Sequence, residues 1–446
     1  MNTLVSAIEL YQQGNARGAE LACERRLAES RDGDTLSLLA EILLSTARTD
    51  SAVPLLRELT QLRPDDAAVH RRLAGALLSL QRPAEAAVML RAAIAIDPGN
   101  ARAHNNLGQA LMQLSKLPDA IASYQEALRV APNYALAHNN LGLALTAHGE
   151  LDRAAESFAR AVALDPALAI AEVNLGTVFD RSDRLPEALR AFDRALAKAP
   201  HLVEAWSGRG AVLAKQQHFA AALHCFDAVL RMRPGDAAAL THKASALLSL
   251  ERALDSLRSA DEGLRIEPAS AELHNIRAGS LRKLGRSSEA LHALEQALAL
   301  NPANADAWCN HGMVLHERGD FDRAAASYRR AMELKPDEIQ IRSRLLARLI
   351  PSVPASEEEA GDARRAFESQ LAEFERWMNA RILSASDALT AAQQQFFYLS
   401  YEEYSNRPSL ERYRGACAAR LAAALPLSAS QVRAGPPLGP APRRFK

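Results

Sequence analysis

Four asparagines, Asn106, Asn140, Asn174 and Asn310, stand in one register of a sequence that repeats itself at a fixed period, the step from Asn106 to Asn140. A side-chain amide offers both donors and an acceptor. A row of them can pair with the main chain of an extended polypeptide with little dependence on its side chains. Leu38, Arg72, Gly208, His242 and Ile276 fill the remaining copies of the register, and the competing expectation is that each asparagine only makes a hydrogen bond inside its repeat. A second register changes from Leu39, Leu73, Leu107, Leu141 and Leu175 to Arg209, Lys243, Arg277 and His311. These four heads form a basic track for an acidic peptide, or else each stem packs while its head reaches a carboxylate or water. A third register holds His70, His104, His138 and His274 where other copies have Trp206 and Trp308, an equivalence that points to packing.

Other chemistry finds little support. His218 and His224 miss the i, i+4 spacing of a zinc-binding helix, and no matching carboxylate accompanies them. Cys23, Cys225, Cys309 and Cys417 form no C-x-x-C pair and are expected to be structural. No phosphate-binding loop, nucleophile elbow or dinucleotide fingerprint is present, and Glu402–Glu403 reads as solvated helix surface. Neither a cofactor nor a metal is expected. Lys plus Arg equals Asp plus Glu at 53 each, which disfavours nucleic acid or an anionic membrane as the main partner. No apolar run approaches the roughly 18 residues of a bilayer span. MNTLVSAIEL lacks the basic region and long apolar core of a secretory signal, so the expected location is the cytoplasm.

Paired helices must position these residues. In Ala101–Tyr134, Leu107, Gly108 and Leu111 share one helical face, and Ala120, Tyr124 and Ala127 share another further on. Pro118 suits the first turn of the second helix, and Pro132 ends it. Prolines recur once per period from Pro64 and Pro98 through Pro336, and HNNLG occurs at His104–Gly108 and again at His138–Gly142. Where helix A approaches its neighbour, the copies carry only Ala or Gly, from Ala40 and Ala74 through Gly108 and Gly142 to Gly312. Helix B carries Ala52 to Ala324 at its contact, with a large knob such as Leu56, Tyr124, Phe158 or Tyr328 beside it. One copy departs: Ala237–Ser270 has Ser256, Ala260 and Gly263, and is predicted to be the weakest unless its neighbours repack.

This pattern resembles the tetratricopeptide repeat, which implies an all-α fold, a right-handed superhelix followed by a small helical connector. The expected organisation is a degenerate repeat over 1–32, nine repeats over 33–338, a capping helix over 339–350, a helical connector over 351–426 and a disordered tail over 427–446. Pro351–Pro354 breaks the array. Ser356 and Glu359 then form a capping box before a helix with Ala363, Phe367, Leu371, Phe374 and Met378 on one face. Phe396–Tyr413 is dense in aromatic residues, and Leu410, Tyr413, Cys417 and Leu421 share a further helical face. The HNNLG copies, the asparagine register and Phe396–Gly415 also resemble the repeats and connector of bacterial SPINDLY-like O-linked N-acetylglucosamine transferases. That resemblance implies that Asn106, Asn140, Asn174 and Asn310 hold substrate polypeptide. It also implies a nucleotide-sugar-binding catalytic part from about Pro426, where this sequence instead closes within twenty residues. The expected function is therefore a protein–protein interaction scaffold that binds extended polypeptide in its concave groove without catalysis. The alternative is a front or noncatalytic part of a protein O-GlcNAc transferase.

Overall fold

Alanine and leucine at the packing positions favour helix, and from Pro64 to Pro336 a proline in every period follows the second helix of a pair. The computed structural model describes residues 3–338, 341–342, 357–380 and 412, and among these the chain contains helices and turns but no strand. It divides into two units, Met1–His218 and Phe219–Lys446. The first unit holds α1 (Thr3–Gln12), α2 (Ala16–Glu29), α3 (Gly33–Ser45), α4 (Thr49–Leu62), α5 (Ala67–Ser79), α6 (Pro83–Ile96) and α7 (Ala101–Gln113). It continues through α8 (Leu117–Val130), α9 (Ala135–His148), α10 (Leu151–Leu164), α11 (Ala169–Arg181), α12 (Leu185–Lys198) and α13 (Val203–Lys215). The second unit holds α14 (Phe219–Met232), α15 (Ala237–Ser249), α16 (Ala253–Ile266), α17 (Ala271–Lys283), α18 (Ser287–Leu300), α19 (Ala305–Glu317), α20 (Phe321–Leu334) and α21 (Glu357–Asn379). Through α20, odd numbers are A helices and even numbers B helices. Within each unit an A helix packs on its own B helix and on the B helix before it, with lighter contact to the neighbouring A helix. Each unit is thus a stretch of α-solenoid.

Volume is matched across the A–B contact. A Cβ on Gly108, Gly142, Gly176 or Gly312 would lie 2.6, 2.7, 2.9 or 2.9 Å from the ring of Tyr124, Phe158, Phe192 or Tyr328. Where the A helix carries alanine instead, the knob is aliphatic: Ala40 with Leu56, Ala74 with Leu90, Ala278 with Leu294, all fully buried. Only glycine makes room for a ring.

The departing copy is filled from next door. Gly263 occupies the place of Ala93, Ala127, Ala161 and Ala195, and Leu273 occupies that of Ala103, Ala137, Ala171 and Ala205. The Leu273 Cδ1 sits 2.8 Å from where a Gly263 Cβ would be, so one leucine takes the volume of two methyl groups. Ser256 Oγ donates to Ala244 O at 2.7 Å and pairs with Ser280 Oγ at 2.8 Å, which satisfies the hydroxyls that replace apolar contact. Leu273 is thus packed into the place that Gly263 leaves open.

Each A helix ends on a residue in the left-handed region. Ala47, Gln81, Ser115, Asp183, Gln217 and Glu251 take φ between 56° and 61°, and Gly149, Gly285 and Gly319 serve the same register. The next N–H then reaches back to the helix, as Arg82 does to Leu77 O at 2.9 Å, which closes the last turn before helix B. In the opening pair the equivalent residue is Gly14, one position out of phase.

Beyond the repeats, residues 341–342 of the expected capping helix are helical; its other residues lie outside the described ones. Helix α21 begins at Glu357, directly after Ser356, and buries Leu371, Phe374, Trp377 and Met378. The Arg342 guanidinium lies 4.9 Å from the Trp377 ring centroid and 3.7 Å from a Glu373 carboxylate oxygen. The Pro351–Pro354 break, the aromatic stretch Phe396–Tyr413 apart from Arg412, the helix through Cys417 and Leu421, and the tail lie outside the described residues.

Candidate functional site

Asn140, Asn174 and Asn310 are half-buried on A helices, and each spends one N–H on the repeat before it. Asn140 Nδ2 donates to Asn105 Oδ1 at 3.0 Å, Asn174 to Asn139 Oδ1 at 2.9 Å, and Asn310 to Asn275 Oδ1 at 2.9 Å. In each case the acceptor stands 35 positions earlier, so these are rungs between successive A helices rather than bonds within one repeat. Arg72 makes a rung of the same kind to Ser37 Oγ at 2.8 Å and Ser37 O at 3.1 Å. Asn106 faces a different partner and accepts from Asn105 Nδ2 at 3.4 Å. Where position i is the apolar Val173, position i+35 is Gly208. The acceptors were missed in the sequence, although Asn105, Asn139 and Asn275 stand one residue ahead of the register and the i, i+35 spacing marks them. Asn140 and Asn174 retain a second N–H and a carbonyl oxygen, the pair that a peptide unit needs. Packed helices lie about 8–10 Å apart, and an extended strand advances about 3.3 Å per residue, so successive rungs correspond to about three residues of strand.

The cationic register is neutralised within the fold. Arg209 Nε lies 2.7 Å from Asp193 Oδ1, Lys243 Nζ 2.8 Å from Asp227 Oδ1, and Arg277 Nε 2.7 Å from Asp261 Oδ1. Each aspartate is on the preceding B helix, 16 positions back, and the carboxylates are more exposed than the cations. Earlier copies place Arg57, Arg91, Gln125 and Ala159 where these aspartates stand, opposite Leu73, Leu107, Leu141 and Leu175, so the acidic partner appears only where the leucine has become a cation. His311 differs: it is buried, its Nδ1 is 2.9 Å from Ser327 Oγ, and burial lowers its pKa. The four residues do not form one cationic surface.

The third register is united by a ring N–H. Nε2 of His70, His104, His138 and His274 donates to the carbonyl of Pro64, Pro98, Pro132 and Pro268 at 2.9, 3.1, 2.9 and 3.1 Å. Trp206 and Trp308 donate to Pro200 O and Pro302 O, both at 2.9 Å, and Arg342 Nε repeats the bond to Pro336 O at 2.8 Å. The interchange of histidine with tryptophan thus preserves a donor as well as bulk. Glu172 occupies the register without such a group. Burial alone would raise its pKa, but Arg194 at 2.8 Å and Lys198 at 2.9 Å outweigh this and hold the carboxyl below its ordinary value.

Cys23, Cys225 and Cys309 are buried and unbridged, and burial pushes the Cys23 thiol up to about 11, away from thiolate chemistry. Cys417 and Glu402–Glu403 lie outside the described residues. Among the described residues no three His, Cys, Asp or Glu side chains gather where they could hold a metal ion, and no helix is long and apolar enough to cross a membrane.

A family model described as the tetratricopeptide repeat matches residues 37–101, 105–169, 173–217, 211–271 and 277–339, well over half of the chain. No curated protein compared with the chain matches it. Among solved structures, a tetratricopeptide repeat protein from Parabacteroides merdae is similar at 19% identity and a TM-score of 0.46, over 55% of this chain and 97% of that one. YrrB, described as a TPR protein with an unusual peptide-binding site, is 22% identical with a TM-score of 0.35, over 42% of this chain and 95% of its own. The APC/C hetero-tetramer Cut9–Hcn1 is 13% identical with a TM-score of 0.44, over 77% and 94%.

Proposed function

The chain belongs to the tetratricopeptide repeat family, and from that membership we propose that it is a protein-interaction scaffold whose A-helix face binds polypeptide in extended form, without catalysis of its own. The observation that carries the reading is the pair of rungs at Asn140 and Asn174, which fix two amides at the repeat spacing and leave each with a donor and an acceptor. Asn310 is the corresponding amide in the second unit, and Asn106 offers its Nδ2 beside the first pair. A basic track at Arg209, Lys243, Arg277 and His311 is the weaker proposal, because three of the four face a carboxylate at 2.7–2.8 Å and the fourth is buried.

Peptides selected from a random library on the full chain test the reading. Asn140→Ala with Asn174→Ala removes both amides, and the selected peptides are expected to bind at least tenfold more weakly. Affinities unchanged in the double variant would remove the amides from the account. The second reading, a noncatalytic part of a protein O-GlcNAc transferase, rests on the HNNLG copies and the asparagine register. The family model ends at residue 339, and apart from Arg412 the residues Phe396–Gly415 lie outside the described ones. Transfer of N-acetylglucosamine from its UDP conjugate by the purified chain would overturn the noncatalytic assignment.

A further inference from the structure

Around the two amides the A-helix face of the first unit loses its charge. On α9, Leu136, Asn140 and Leu143 follow at i, i+4 and i+7, which places them on one face, and Leu136 and Leu143 are 50% and 41% exposed. On α11, Ile170, Asn174 and Thr177 repeat the arrangement one period later, with Ile170 39% exposed and Thr177 exposed. The adjacent copies carry Arg102 and Gln109 on α7, and Glu204 and Ala211 on α13, so the window spans two repeats.

The helix caps change over α9 to α13. The A helices α3, α5 and α7 start from Asp32, Asp66 and Asn100, each accepting a first-turn N–H, whereas α9, α11 and α13 start from Tyr134, Leu168 and Leu202 with no side-chain cap. A polar cap is a stabilising feature, and in the two repeats of the window its replacement stands beside Leu136 and Ile170. Other apolar residues of the chain are as exposed, such as Leu62 and Val88, but Leu136, Leu143 and Ile170 stand beside amides held by the rungs, which is what singles this surface out for a partner.

We infer that this window receives an extended polypeptide segment of about six residues with uncharged, apolar side chains. This rests on the A-face reading given above and deepens it by naming the side-chain class. A strand lying across α9 and α11 along the amide row pairs its main chain with Asn140 and Asn174. Its side chains alternate to either side, toward Leu136 and Ile170 on one flank and toward Leu143 and Thr177 on the other. On the Leu136–Ile170 flank an ionised side chain would lose hydration with no counter-charge beside it. On the other flank the cation on the same face, Arg181, four positions after Thr177, already donates to Thr146 O at 3.3 Å, so the window favours uncharged over acidic or basic segments.

Three capped, fluorescein-labelled hexapeptides test this on the full chain by anisotropy: alternating Val and Thr, the same with Glu in place of Val, and the same with Lys in place of Val. The valine peptide is expected to bind at least tenfold tighter than the other two. That preference is expected to vanish in Leu136→Ser with Ile170→Ser, with retained helical circular dichroism as the check that the fold persists. Equal binding of the three peptides, no binding of the valine peptide, or a preference that survives the double variant overturns the inference. Self-association of the chain that is lost in the same variant also overturns it, in favour of a second copy as occupant. If Asn140→Ala with Asn174→Ala weakens all three peptides while the leucine and isoleucine change does nothing, the side-chain class is wrong and the A-face reading survives.

Discussion

The pairing of Gly142 with Phe158, against Ala40 with Leu56, makes the tolerance of each position depend on the other. Gly142→Ala places a methyl group 2.7 Å from a ring carbon of Phe158, an overpacking that typically costs about 1–3 kcal/mol, offset in part by the better helix propensity of alanine. Adding Phe158→Leu recreates the Ala–Leu combination of other copies, so a double-mutant cycle by urea denaturation is expected to show favourable coupling of about 1 kcal/mol or more. Additive effects would mean that the two positions do not share one volume. At His311 the prediction concerns pH. Its folded pKa lies below the ordinary 6.5 because the ring is buried, so below that pH the unfolded chain takes up a proton that the folded site resists. Stability from this site is complete above about pH 6.5 and declines as the pH falls. His311→Leu, the residue that five other copies carry, is expected to flatten the stability of the second unit between pH 6.5 and 5; an unchanged slope would assign the dependence elsewhere. Both positions were visible in the sequence, but their partners were not. Ser327 meets His311, and Phe158 meets Gly142, from the helix that follows in the chain, and a register read one column at a time does not show that two columns vary together.

At the level of the helix and its turn, the period and the prolines were enough to predict consecutive paired helices, because glycine or alanine contacts and helix stops are local requirements. The turn itself was less legible. Six of the nine copies spend a non-glycine residue on a left-handed φ between 56° and 61°, which costs roughly 1 kcal/mol where glycine costs nothing. Gln81→Gly is therefore expected to stabilise the first unit by about 0.5–1 kcal/mol in urea denaturation, after allowing for the freer unfolded chain. A loss of stability would show that Gln81 contributes more through its side chain than its backbone costs. The rungs were also hidden, since Asn140 and its acceptor Asn105 belong to neighbouring registers and meet only when one A helix lies beside the next. The copy Ala237–Ser270 teaches the same lesson. Read alone it lacks a knob, and what one copy cannot show is that Leu273 from the following helix fills the place a Gly263 side chain would take.

Across the molecule, one rule of stacking produces both the cores and the surface of each unit. A fixed period forces equivalent residues into rows, so an amide, a leucine or an ion pair that recurs in sequence becomes a continuous feature of the A-helix face. Rows of buried residues keep their character from copy to copy because packing dictates it, whereas rows on the surface drift, and the proposed binding would be encoded in that drift. The asparagine row was legible as a candidate; its uncharged window was not, because exposure at Leu136, Leu143 and Ile170 depends on which helices lie beside them. The central claim is that polypeptide lies along the A-helix face, and its most direct test is photo-crosslinking from benzoylphenylalanine placed at Gln109 on α7 or at Gln125 on α8, both exposed. Library-selected peptide is expected to be captured from Gln109 and not from Gln125. Capture from Gln125 alone, or equally from both, would contradict it.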